Sequence, residues 1–230
     1  IIDRANQKGV INNKDIIVYD ISDETMKRMQ KKGYTPAKSL QEALYSCENV
    51  LLSVKPQHYE DIFKNNSFSK VSCLISIMAG VKINTLKKAM DNKDTTVVRV
   101  MPNTPCKIGM GFSGICFEEG KEGSKKLVED IFSSCGDILY ITEEKFDALT
   151  SVSGSGPAYV YSFLNGMIKG GINGGLDYDE AKIMAIATMR GATELAKISD
   201  EKMEKLIDKV CSKGGTTIEA IESFRENNLE

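Results

Sequence analysis

Short β-branched runs alternate with amphipathic stretches through the first 142 residues, and this alternation predicts strands separated by helices. Residues 16–20 (IIVYD) read as a buried strand, followed by a helix over about 22–32 that Gly33 is placed to end. Ser39 and Glu42 have capping-box spacing for the next short helix. Residues 49–54 (NVLLSV) form another strand, broken by Pro56, and 57–64 return to helical spacing. Further strands are predicted at 73–78, 97–101, 115–117 and 138–141, with helices at 83–90 and 124–135 between them. Such alternation builds a mainly parallel sheet covered on both faces, with ligands at the carboxyl ends of its strands.

From residue 142 onward the strand signals stop. Helical patterns occupy 143–152, 157–171, 178–197, 201–211 and 217–225, and both Asp177 with Glu180 and Thr216 with Glu219 have capping-box spacing. The predicted architecture is α/β: a Rossmann-like domain over 1–142, then an all-helical domain over 143–230. Met184, Ala185, Ala187, Thr188, Gly191 and Ala192 give one helix a small-residue surface, which suits either a subunit interface or an internal helix contact. The chain opens on Ile1 where the remainder of a first helix is expected. It closes on Glu230 inside a polar helical pattern, so the first strand, its glycine loop and the C-terminal end are expected to lie outside it.

Composition narrows the function classes. A net charge of -2, from 30 basic and 32 acidic residues spread along the chain, offers no nucleic-acid arm and favours a small substrate. The six cysteines contain no C-x-x-C pair, and the chain has one histidine, so no metal site is expected and the thiols read as reduced. No apolar run approaches the ~20 residues that span a bilayer. A soluble, cytoplasmic protein is expected.

Candidate chemistry gathers at strand ends. Asp20 suits hydrogen bonds to the adenosine ribose hydroxyls, which leans toward NADH, and equally suits a turn or cap before the Ser22 helix; Lys27 and Arg28 keep a phosphate-accepting site open. Val54, Lys55 and Pro56 close a strand, where the lysine either approaches ribose or phosphate or merely precedes a strand terminator. The following His58 reads as a solvated helix-start residue. Ala79 and Gly80 permit close approach to the backbone, and the prolines around Asn103 and Thr104 fix a turn that suits either a nicotinamide contact or a rigid structural loop. In residues 212–219 (SKGGTTIE) two glycines precede a helix, so N–H groups can converge on a carboxylate. Thr216 is expected to cap that helix and leave the Thr217 hydroxyl free; an ordinary glycine-rich junction is the plainer reading. The glycines of 153–159 (SGSGPAY) suit close helix packing, with Pro157 in a first helical turn.

Taken together, Val54-Lys55-Pro56-Gln57, Ala79-Gly80-Val81, RVMPNTP from Arg99, SGSGPAY from Ser153 and the segment from Ser212 to Glu219 resemble the pyrroline-5-carboxylate reductase family, in order and spacing. The resemblance implies reduction of 1-pyrroline-5-carboxylate to proline with NADPH or NADH, the last step of proline biosynthesis, by a homodimer or higher homo-oligomer. It also implies that Lys55, Pro56, Ala79 and Asn103 lie along the cofactor. Ser212, Gly214, Gly215, Thr216 and Thr217 would hold the substrate carboxylate, with Thr217 near the imine nitrogen as the catalytic residue. Lys213 departs from the family's proline and adds a charge. Two rivals remain: a hydroxyacid dehydrogenase using Lys169 as general acid, which leaves the 212–217 loop without a role, and a cofactor-binding protein that would tolerate loss of Thr217.

Overall fold

The fold comes from a computed structural model, which describes residues 1–120 and 123–229; the helical pattern at Glu230 lies outside them. Two compact units emerge, Ile1–Tyr159 and Val160–Glu230. In the first, α1 (Ile2–Gln7) precedes β1 (Ile17–Val18), which pairs in parallel with β2 (Thr35–Pro36). The strand expected over 16–20 is thus reduced to two half-buried residues, since only Ile17 and Val18 face ladder partners.

Local signals explain α2 (Asp23–Lys31). The Ser22 hydroxyl accepts the Thr25 N–H at 3.3 Å, and the helix ends where Gly33 turns left-handed at φ 84°. There the N–H groups of Gly33 and Tyr34 reach back to the carbonyls of Gln30 and Met29, the double bond of a Schellman end. Ser39 caps α3 (Leu40–Ser46) through the Glu42 N–H, but the Glu42 carboxylate accepts from the Lys38 N–H rather than closing the expected box.

The main sheet has the order β3 (Asn49–Leu52), β4 (Cys73–Ser76), β5 (Thr96–Pro102), β6 (Gly111–Phe117), β7 (Gly136–Tyr140). Strands β3, β4 and β5 run parallel because α4 (Tyr59–Asn65) and α5 (Ile83–Ala89) supply the crossovers that parallel pairing requires. The short 103–110 connection permits only an antiparallel return, so β6 opposes β5 and the sheet is mixed there. After α6 (Lys125–Ser133), β7 joins β6 in parallel. Both faces are covered. Leu74 and Val97 meet Leu86, Phe63 and Phe68 on one side, while Ile75, Val98 and Val100 meet Ala5, Val128 and Phe132 on the other. This double burial is why every residue of β4 is buried, the polar Ser76 included.

Residues 143–152, expected as one helix, are divided into a tight turn at Glu143–Lys145, α7 (Phe146–Leu149) and a π-helical turn at Thr150–Gly154. They pack within the first unit: Phe146 and Leu149 are buried, and a side chain at Gly114 would collide with Leu149. The unit boundary falls within α8 (Gly156–Asn173).

In the second unit α8 and α9 (Tyr178–Ile198) form a hairpin around Ile168, Ala181 and Ala185. A Cβ on Gly171 would lie 3.1 Å from that of Ala181, so the glycine allows the close approach. Asp177 and Glu180 complete a reciprocal capping box at the start of α9, each bond 2.9 Å. Next come α10 (Met203–Val210) and α11 (Thr216–Glu226), the latter packing Phe224 edge-on against Phe163 of α8 at 5.9 Å. Within this unit Ala185 of the small-residue surface is used internally, while Met184, Ala187, Thr188, Gly191 and Ala192 remain exposed.

Candidate active site

Parallel pairing puts the carboxyl ends of β3, β4 and β5 on one edge of the sheet. Val54, Lys55 and Pro56 follow β3, Ala79 and Gly80 follow β4, and Asn103 follows β5, so the structure brings these turns to a common edge. Lys55 is exposed and its carbonyl accepts the His58 N–H at 3.0 Å, starting the turn that Pro56 opens; His58 is exposed at the start of α4. Gly80 is left-handed at φ 75°, with open space where a Cβ would stand. Asp20 lies beyond β1 in the smaller sheet. One of its oxygens accepts the Ser22 N–H at 2.8 Å, so the carboxylate serves the turn into α2 while the side chain stays exposed.

Asn103 is more constrained than its exposed-turn sequence suggests. Its Oδ1 accepts the Phe112 N–H at 2.9 Å, and its Nδ2 reaches both the carbonyl and the hydroxyl of Ser153 at 3.3 Å. Two sequence motifs fifty residues apart are thereby joined. A Cβ on the neighbouring Gly154 would sit 2.8 Å from Met101 Cε, the end of a flexible side chain.

Beside Asn103 is a cleft of about 240 Å³ lined by Ile1, Asp3, Arg4, Pro102, Asn103, Thr104, Cys106 and Lys107. Its one carboxylate is already engaged. Asp3 accepts from the Tyr34 hydroxyl at 2.6 Å and pairs with Lys32 at 2.5 Å. Burial works to raise the Asp3 pKa, but these partners hold it below its ordinary value, while burial and the Asp3 charge push the Tyr34 phenol upward. Arg4 and Lys107 supply the cationic side chains of the lining.

Arg99 and Glu143 were missed in reading the sequence. Arg99 is only 4% exposed in mid-strand; its guanidinium lies 3.1 Å from Glu143 Oε1 and 4.4 Å above the Phe146 ring. The available signal was an arginine inside the apolar run VVRVMP, since a buried charge demands a partner.

The other candidate residues lie in the second unit, in the turn after α10 and the first turn of α11. Gly214 is left-handed at φ 73°, and the Gly215 N–H donates to the Ser212 carbonyl at 3.0 Å. Thr216 does not cap α11, and its spacing to Glu219 forms no box. Gly215 is the cap position, with no side-chain hydrogen bond, because its extended backbone starts the helix one residue early. A Cβ on Gly215 would stand 2.5 Å from Ser212 Oγ and 3.2 Å from its carbonyl oxygen, so glycine eases this folding-back. Thr216 and Thr217 therefore occupy the first turn, where N–H groups lack helical partners, with Thr217 half-buried and Lys213 exposed. Lys169 is exposed on α8. Among the described residues no cluster suits a metal ion, and no helix is long and apolar enough to cross a membrane.

A covered α/β sheet with its turns gathered at the carboxyl edge, followed by a helical domain, is the layout of a dinucleotide-dependent oxidoreductase. Comparison with known proteins makes the class particular. Residues 143–230 match the family model for pyrroline-5-carboxylate reductase dimerisation, and 1–80 match that for NADP oxidoreductase, coenzyme F420-dependent. The pyrroline-5-carboxylate reductase of Aquifex aeolicus is 34% identical over 222 residues, covering 96% of this chain and 83% of the relative. That of Pisum sativum is 31% identical over 232 residues, covering 98% and 83%. Among solved structures, the Plasmodium falciparum enzyme with NADP bound superposes with a TM-score of 0.89 at 31% identity, covering 98% of this chain and 84% of that one. The chain belongs to the pyrroline-5-carboxylate reductase family, whose members are NAD(P)H-dependent oxidoreductases.

Proposed function

We propose that this chain reduces the ring imine of 1-pyrroline-5-carboxylate to give proline, as a cytoplasmic homodimer or higher homo-oligomer. The observation that carries the reading is the common edge formed by the turns after β3, β4 and β5, in a chain of this family. Six free thiols suit a reducing compartment.

Asp20, Val54, Lys55, Pro56, Ala79 and Asn103 are the proposed cofactor-side residues. The free oxygen of Asp20 faces ribose hydroxyls, Lys55 approaches ribose or phosphate, and Ala79 with Gly80 leaves room at the backbone. Asn103 acts by holding its turn. NADPH or NADH, when bound, supplies hydride to the imine carbon.

Ser212, Gly214, Gly215, Thr216 and Thr217 form the proposed substrate loop. First-turn N–H groups and the positive end of α11 hold the carboxylate. A protonated ring nitrogen makes the adjacent carbon a better hydride acceptor. The Thr217 hydroxyl hydrogen-bonds that nitrogen and organises its proton, which a threonine alone is too weak an acid to supply. Most of the acceleration comes from holding the two rings in register.

The test is oxidation of NADH and NADPH with and without pyrroline-5-carboxylate. Substrate-dependent turnover that falls strongly in Thr217→Ala is expected. Cofactor binding without turnover would leave the non-catalytic rival standing, and turnover lost on changing Lys169 but not Thr217 would favour the dehydrogenase.

A further inference from the structure

We propose that Arg99 and Glu143 are a positioning pair for the reaction, fixing the 79–81 and 102–105 turns relative to each other. This rests on the proposed placement of those turns along the cofactor.

Arg99 sits beside Ser76, the last residue of β4, in the parallel register, so it lies directly under the turn that carries Ala79. One oxygen of Glu143 then joins three parts of the chain. It accepts from Arg99 on β5 at 3.1 Å and from the N–H of Ile83, the first residue of α5, at 2.7 Å, while the residue itself opens the 143–154 segment. Near the end of that segment Ser153 accepts from Asn103. It is therefore a strap with one end fixed beside the 79–81 turn and the other at the 102–105 turn. Between its ends, Phe146 lies under the Arg99 guanidinium and Leu149 fills the space beside Gly114.

Stability alone does not account for the arginine. Its Nε is buried without a hydrogen-bond partner, and a buried ion pair gains little over apolar side chains of similar volume. What an apolar pair would not reproduce is the directional link from β5 through Glu143 to the Ile83 N–H. Small displacements of groups that align reacting rings reduce rate much more than they reduce folding.

The experiment compares wild type with Arg99→Lys and the double variant Arg99→Met/Glu143→Leu. Readouts are melting temperature, NADH and NADPH Kd by nucleotide fluorescence, and kcat and KM for pyrroline-5-carboxylate. The double variant is expected to melt within a few degrees of wild type, keep KM within about twofold, and lose roughly tenfold or more in kcat with weakened cofactor affinity. Arg99→Lys should recover part of that loss. Wild-type kcat and cofactor Kd in the double variant would overturn the proposal, as would losses that merely track the unfolded fraction. Should the double variant fail to fold, Arg99→Met alone carries the same expectation, since Glu143 keeps the Ile83 N–H and is 22% exposed. A wild type without substrate-dependent turnover would instead remove the function on which the pair's role depends.

Discussion

The Thr217 side chain takes no part in capping α11, so removing its hydroxyl tests chemistry apart from folding. Thr217→Ala should lower kcat by about 10²-fold with an unchanged melting temperature, and Thr217→Ser should restore most of the rate; steady-state kinetics beside thermal melts check both. The proposed role of Asp20 lies at the cofactor end. Its uncommitted oxygen favours ribose hydroxyls over a 2′-phosphate, so Asp20→Ser should shift the NADPH-to-NADH Kd ratio toward NADPH by about tenfold, or ~1.4 kcal/mol. No shift would mean that the carboxylate serves only the Ser22 turn. Residues whose partners are near in sequence were legible from the start, as with Gly33, Ser39 and Asp177. Asn103 was legible as a turn residue but not as a clamp, because Ser153 is fifty positions away.

At the scale of elements, the glycine turn before α11 carries a separable role. Gly214→Ala forces an L side chain into φ 73°, at a cost of about 1–2 kcal/mol for that conformation, and should raise KM for pyrroline-5-carboxylate more than it lowers kcat. Equal loss in both would point to general unfolding of the loop. The turn after α5, which leads into β5, gives another test, at acid pH. Asp91 accepts from the Ser67 hydroxyl and from the N–H groups of Phe68 and Asn92, and these bonds hold its carboxyl below the ordinary 3.8. A depressed folded pKa contributes stability above the unfolded value and loses it as pH falls through the folded one. Asp91→Asn should therefore flatten the decline in urea midpoint below about pH 4; an unchanged slope would show that Asp91 contributes nothing to it. Most element types followed from periodicity, yet several bounds did not, and two of these have a local cause. Residues 143–152 have helical spacing but bend through a π-turn to seat Phe146 and Leu149. Thr216 lost the cap because Gly215, without a Cβ, could fold back on Ser212.

Across the whole molecule, the second unit leaves Ile183, Ile186, Leu195 and Ile198 of α9 exposed, more apolar surface than a helix of a lone monomer needs to show. With the family's dimerisation domain covering this region, Ile183→Asp combined with Leu195→Asp should shift the protein toward monomer in light scattering and reduce turnover with it; an unchanged mass would place the interface elsewhere. The α/β-then-helical organisation was readable from the change in periodicity near residue 142. The packing of 143–159 with the sheet was not, because it depends on Arg99, Asn103 and Gly114 receiving that segment. The most direct measurement of the central claim is transfer of deuterium from NADH or NADPH labelled at the transferable position of its nicotinamide. Proline one mass unit heavier, with the label on the former imine carbon, is the predicted result. Cofactor oxidation without labelled proline, or no substrate-dependent oxidation at all, would contradict it.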